Sequence, residues 1–189
     1  TKEFLLSSSF ERMTSNNGNM SENPFILDNK VCKGFVDKLF CQLELFVDSY
    51  LRIDDSHFKW YMQNSWVVEH NPNDFGHAHH HANSLISGVY YLDVPEHSGD
   101  ITFHKPAGLT NIFHVSTDIP YKEYTPTNCG AWSLTPREGD IILFPSHLLH
   151  SIGENETNKL RYSLAFNFHI KGNLGSKDSK TDHITFIGR

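Results

Sequence analysis

The chain has 189 residues, 38% of them hydrophobic and 13% aromatic, which suits one folded domain with a real core and excludes a disordered chain. Its formal charge of −6 makes nucleic acid an unfavoured partner, because neutralising phosphates needs a surplus of Lys and Arg. No stretch approaches the ~18 apolar residues of a membrane span, and the N-terminus lacks the apolar core of a signal peptide.

Cys32, Cys41 and Cys129 are odd in number and form no CxxC pair. Neither a disulfide framework nor a zinc knuckle is indicated, and the expectation is a reduced, cytoplasmic protein. Whether the chain pairs as a homodimer is left open by the sequence.

In chain order, residues 1–24 are rich in Ser and Asn and read as an extended start followed by a loop. From Asp28, a candidate N-cap, Val31, Phe35, Leu39, Leu43 and Phe46 recur at helical spacing through to about Leu51. One apolar stripe predicts a helix packed against a sheet. From about Ser65 the punctuation is that of an all-β domain. The predicted strands are SWVVEH, HANSLISGVYYLDV, DITFHK, CGAWSL, DIILFPS and LRYSLAFNFHI, separated by turns rich in Asn, Pro, Gly and Asp.

Six or more short strands behind a helix point to a mainly β sandwich or jelly-roll barrel rather than a βαβ fold. The expected division is 1–55 for the N-terminal segment and helix, 56–170 for the β core and 171–189 for a polar extension. The loop-rich segment between His104 and Trp132 is expected to contribute to a substrate lid.

Chemistry concentrates in GHAHHHANSLISGVYYLDV, residues 76–94, where His77, His79, His80 and His81 crowd the mouth of a strand. Alternate strand residues share a face. His77, His79 and His81 would then point one way, followed by Asn83, Leu85, Ser87, Val89 and Tyr91. Two imidazoles one residue apart, with a third from a distant strand, can hold a transition metal on three adjacent sites and leave others open.

A candidate for the third follows in GDIILFPSHLLHSI, where His147 and His150 come after Phe-Pro-Ser. Eleven residues beyond His150, Arg161 and Ser163 share a face of the last strand. The other face is Tyr162, Leu164 and Phe166, so Arg161 breaks the apolar pattern. An arginine facing inward is costly to bury unless something anionic meets it. The alternative is a strand-end arginine paired to Glu154 or Glu156.

These three blocks, in this order and spacing, resemble the 2-oxoglutarate and Fe(II)-dependent oxygenase superfamily. They are similar in particular to a group of small members from bacteria and tailed phages that share H-x-H-P-N-S-x-x-SGVYY, FPSWLxH and R-x-S-x-x-F-N. Ala82 and His147 here replace the proline and the tryptophan. The resemblance covers about Ser65 to Ile170 and implies a double-stranded β-helix (jelly-roll) barrel with the helix outside the sheet.

It also implies a site. Fe(II) would be held by His79, His81 and His150, with Arg161 and Ser163 anchoring the far carboxylate of the co-substrate 2-oxoglutarate. Tyr91 would stand near that carboxylate, with Asn83 beside it. The superfamily usually has Asp or Glu where this chain has His81, so His77 with His79, or a carboxylate such as Asp74, stays open as the ligand set. Three neutral histidines leave Fe(II) with two positive charges, which the two negative charges of 2-oxoglutarate can meet.

The implied activity is oxidative decarboxylation of 2-oxoglutarate to succinate with hydroxylation of an unidentified substrate by dioxygen. Its rivals are a three-histidine iron oxygenase that does not use 2-oxoglutarate, and a non-catalytic cupin-like binding protein. The expected location is the cytoplasm of a bacterium or of a phage-infected host.

Overall fold

In a computed structural model of the chain, residues 1–13, 17–106, 120–174 and 181–182 are described. Among these described residues, eleven strands fall into two antiparallel sheets. The larger runs β1 (Phe10–Arg12), β2 (Asn19–Ser21), β3 (Phe58–His70), β10 (Arg161–Leu174), β5 (Ile86–Asp93), β8 (Ile141–Pro145), with β11 (Thr181–Asp182) also paired to β10. The smaller runs β4 (Gly76–His79), β9 (His150–Ile152), β6 (Ile101–His104), β7 (Ala131–Leu134). The two sheets enclose a cavity without closing into one hydrogen-bonded barrel. This is the mainly β jelly-roll that the strand count and the resemblance imply.

The helix packs on the outside of the larger sheet, as its stripe requires. It begins as 3₁₀ turns at Ile26–Asp28 and Lys30–Cys32, continues as α2 (Lys33–Leu45) and ends in a π-turn at Phe46–Leu51. Asn29, not Asp28, supplies the cap: its side chain accepts from the Val31 N–H. Leu39 and Leu43 are fully buried, whereas Val31, predicted to share their stripe, is 52% exposed because it precedes the regular helix.

Alternation along β10 explains what the helix meets. Leu164, Phe166 and Phe168 turn to the core with Leu39, Leu43 and Val47, and the Phe40 and Phe168 rings cross edge to face at 5.3 Å. Arg161, Ser163 and Ala165 turn to the cavity.

Gly88 on β5 lies under this core. A Cβ there would come 2.3 Å from the Phe166 ring and 2.7 Å from Leu143. Gly88→Ala is therefore expected to destabilise by about 2–3 kcal/mol, since a close-packed interior must shift to admit a methyl group. A urea midpoint equal to that of the parent chain would contradict it.

Three regions depart from the sequence expectation. Residues 1–24 are not simply extended: α1 (Lys2–Leu6) buries Leu5, and β1 and β2 form a hairpin added to the edge of β3. The polar sequence conceals this because the hairpin is tied down by polar contacts with distant residues, Arg12 to Asp74 and Asn19 to Glu69. β3 starts seven residues before Ser65, since its outer half pairs with the far end of β10 through to Gly172. The chain does not leave the sheet at Lys171, because β10 continues to Leu174 and pairs with β11, and residues 175–180 and 183–189 of the expected extension lie outside the described residues. Of the predicted lid between His104 and Trp132, residues 107–119 lie outside the described residues.

Candidate metal centre and co-substrate cavity

The histidine run is not one continuous strand. β4 ends at His79, and a turn with Asn83 in the left-handed region (φ 60°) leads to β5, which belongs to the other sheet. The H-x-H pair therefore bridges the two sheets. His79 pairs directly with His150 across β4 and β9. His81 is held from the larger sheet, its backbone N–H donating to the Ser146 carbonyl at 2.9 Å.

The outcome is convergence: one ring nitrogen from each of His79, His81 and His150 lies within 4.8 Å of the other two. The rings of His79 and His150 are 4.3 Å apart, and those of His81 and His150 stack at 5.2 Å.

Tautomers follow from the second nitrogens. His79 Nδ1 is 2.7 Å from the His77 carbonyl, and His150 Nδ1 is 3.0 Å from the Leu148 carbonyl. A carbonyl only accepts, so each Nδ1 carries the proton and each Nε2 presents a lone pair. Burial holds two of the imidazoles neutral, lowering His81 to about 3 and His150 to about 4. Neutral imidazoles with oriented lone pairs are what a divalent first-row metal requires, and the donor set fits Fe(II).

The alternatives fall elsewhere. His77 is exposed, its ring edge-on to Phe75. The Asp74 carboxylate is clamped by Arg12, with Nη1 and Nη2 at 2.8 and 2.7 Å, and by Asn71.

Behind the ligands runs a buried polar chain. Ser146 Oγ is 2.8 Å from Ser87 Oγ, Ser87 donates to Asn167 Oδ1 at 2.7 Å, and Asn167 Nδ2 donates to Asn64 Oδ1 at 2.8 Å. Each buried polar atom gains a partner, and the strands carrying the His81 loop are tied together.

The triad sits on a cavity of about 350 Å³ that also takes in Arg161, Ser163, His70 and Trp66. Arg161 is 1% exposed, and Ser163 stands across from Tyr91 on β5. The Arg161 guanidinium carbon lies 5.4 Å from the centroid of the Tyr91 ring, a cation–π distance. Burial raises the Tyr91 phenol to about 12, so it stays protonated.

Among the described residues, buried Arg161 Nε, Arg161 Nη2 and Tyr91 Oη have no hydrogen-bond partner. No ion pair joins Arg161 to Glu154 or Glu156 among the described residues. Unpaired buried donors beside a cation form a cradle for an anion. Asn83 is not brought to this cradle: the left-handed turn leaves it exposed and outside the cavity lining.

Sequence reading passed over one residue that the cavity includes. His70 ends β3, directly opposite Arg161, and only strand pairing reveals the proximity. Its pKa is lowered to about 4, by burial first and then by Arg161. A folded-state value below that of the unfolded chain means that unfolding takes up protons as pH falls. The metal-free protein is thus expected to lose stability from about pH 6.5 down to about 4, with His70 alone contributing on the order of 3 kcal/mol. Urea midpoints at pH 7, 5 and 4 check this, and a flat profile would contradict it.

With the geometry in place, comparison identifies the class. The family described as "Putative 2OG-Fe(II) oxygenase" matches residues 64–167, more than half of the chain. The chain belongs to this family of 2-oxoglutarate-dependent non-haem iron enzymes. No curated protein matches it.

Among solved structures, it is similar to an oxidoreductase of the 2OG-Fe(II) oxygenase family from Burkholderia pseudomallei. That likeness has a TM-score of 0.59 and 13% identity over 88% of this chain and 74% of the other. It is also similar to HygX from Streptomyces hygroscopicus with nickel and 2-oxoglutarate bound, at 0.53 and 12% over 88% and 75%. A prolyl-4-hydroxylase from Pseudomonas putida gives 0.53 and 16% over 84% and 75%. At these identities the likeness establishes the fold. Among the described residues no helix is long and apolar enough to cross a membrane.

Proposed function

We propose that the protein oxidatively decarboxylates 2-oxoglutarate to succinate and hydroxylates a substrate held in the same cavity. His79, His81 and His150 would hold the Fe(II), and Arg161, Ser163 and Tyr91 would receive the far carboxylate of 2-oxoglutarate. The observation that carries this reading is one cavity with three convergent imidazoles and a buried arginine with two unpaired donor nitrogens. Bound iron with the 2-oxo acid supplies the activation of dioxygen for attack on a C–H bond.

The protein's part is placement. Arg161 and Tyr91 donate to one end of the co-substrate, and the imidazole lone pairs fix the metal that its other end must reach. Trp66, Val68, Met13 and Met20 give the cavity an apolar wall that keeps water from the reacting centre.

In the same proposal the chain acts as one domain, with the chemistry in 56–170, on a substrate other than nucleic acid. Three free cysteines support a reducing, cytoplasmic setting. A homodimer is part of the proposal and is checked by light scattering.

The decisive experiment is anaerobic Fe(II) titration with and without 2-oxoglutarate. A visible charge-transfer band that requires both supports the reading. Fe(II) binding with no spectral or calorimetric response to 2-oxoglutarate would favour a three-histidine oxygenase that does not use it.

A further inference from the structure

One buried histidine in the cavity has no place in the chemistry above. His70 is 3% exposed, and its Nδ1 lies 3.0 Å from Arg161 Nη1. A guanidinium can only donate, so His70 Nδ1 accepts, and the ring is neutral with its proton on Nε2. The ring is covered by the N-terminal hairpin: a Cβ at Gly18 would come 2.7 Å from its Cδ2.

The identity of the partner matters. A carboxylate opposite Arg161 would orient the guanidinium equally well but would cancel its charge before any ligand arrived. The exposed Arg12 is paired in just that way to Asp74. An imidazole lone pair orients without neutralising, and it leaves Nε and Nη2 buried and unpartnered.

We propose that His70 is a positioning residue for co-substrate binding, its neutral Nδ1 holding the Arg161 guanidinium so that Nε and Nη2 meet the far carboxylate of 2-oxoglutarate with the cationic charge intact. The proposal rests on the reading of Arg161 as the anchor of that carboxylate.

The test is calorimetric binding of 2-oxoglutarate to the full-length, Fe(II)-loaded protein under anaerobic conditions, with steady-state kinetics alongside. His70→Asn puts an amide oxygen where Nδ1 stands and is expected to bind within about threefold of the parent chain. His70→Leu removes the acceptor and should weaken binding by about tenfold, the loss of one charge-assisted contact. It should raise KM for 2-oxoglutarate more than it lowers kcat. His70→Asp keeps an acceptor in place but neutralises Arg161, and should also weaken binding by about tenfold or more. Fe(II) affinity without 2-oxoglutarate should stay unchanged in all three.

Parent-like binding by His70→Leu, or equal binding by His70→Asp and His70→Asn, would overturn the proposal. Should His70→Leu fail to fold, the Asn and Asp pair decides. Arg161→Ala is measured in parallel. If it too binds 2-oxoglutarate as the parent does, the anchor reading is what fails. If it is weakened while His70→Leu is not, the role of His70 alone is refuted.

Discussion

His150→Ala is expected to abolish stoichiometric Fe(II) binding, and turnover with it, while leaving a folded protein. Removing a partner outside the ligand set typically costs a metal site about 10- to 100-fold in affinity. Removing one of three ligands should cost more. His150 is the most buried of the three and packs against Phe144 with ring centroids 4.8 Å apart. Its loss leaves only His79 at the end of β4 and His81 in the turn that follows, two ligands without the third that closes the site. His77→Ala and Asp74→Asn are the informative controls. The first keeps the backbone carbonyl that orients His79, and the second alters a carboxylate occupied by Arg12. Both are expected to keep iron binding near the parent value in anaerobic equilibrium dialysis. Loss of binding in His77→Ala would move the ligand set to the pair the sequence left open.

How much of this was legible in the sequence depends on which interactions carry it. The apolar parity of β10 and the stripe of α2 are written in single residues, because each face must match a core or a cavity. The face separation within β5 was equally legible: Ile86 and Leu92 join the core, while Val89 faces the cavity. The same separation could not be carried back through His81. No alternation marks the point where the chain leaves one sheet for the other, and the expectation for Asn83 extends a strand that does not exist there. The left-handed turn is chemically reasonable for Asn, yet it shows only in the backbone. The docking of the β1–β2 hairpin onto β3 and the proximity of His70 to Arg161 were hidden for a related reason. Both depend on long-range pairing, across 91 positions for the latter, which the local pattern of either segment does not record.

Arg161→Ala should weaken 2-oxoglutarate binding by roughly ten- to a hundredfold, because a charge-assisted bidentate contact in a desolvated site is worth about 1.5–3 kcal/mol. Iron affinity measured without co-substrate should not change, since Arg161 contributes no ligand. Stability should move in the opposite sense to function. Without a ligand, the fold buries a cation whose hydrogen-bond partner is a neutral imidazole, with two donor nitrogens unpaired. An unpaired buried charge opposes folding. The loss of packing in Arg161→Ala is therefore offset, and the metal-free variant should melt at or above the parent temperature. Added 2-oxoglutarate should raise the melting point of the Fe(II)-loaded parent, by about 2.7 kcal/mol of stability at a hundred times Kd, and should barely move the variant. Arg161→Lys should recover only part of the affinity, because an ammonium cannot donate along the two directions that Nε and Nη2 provide. A variant that melts lower, yet still gains the full stabilisation from 2-oxoglutarate, would show that Arg161 serves the fold and that the co-substrate carboxylate is held elsewhere.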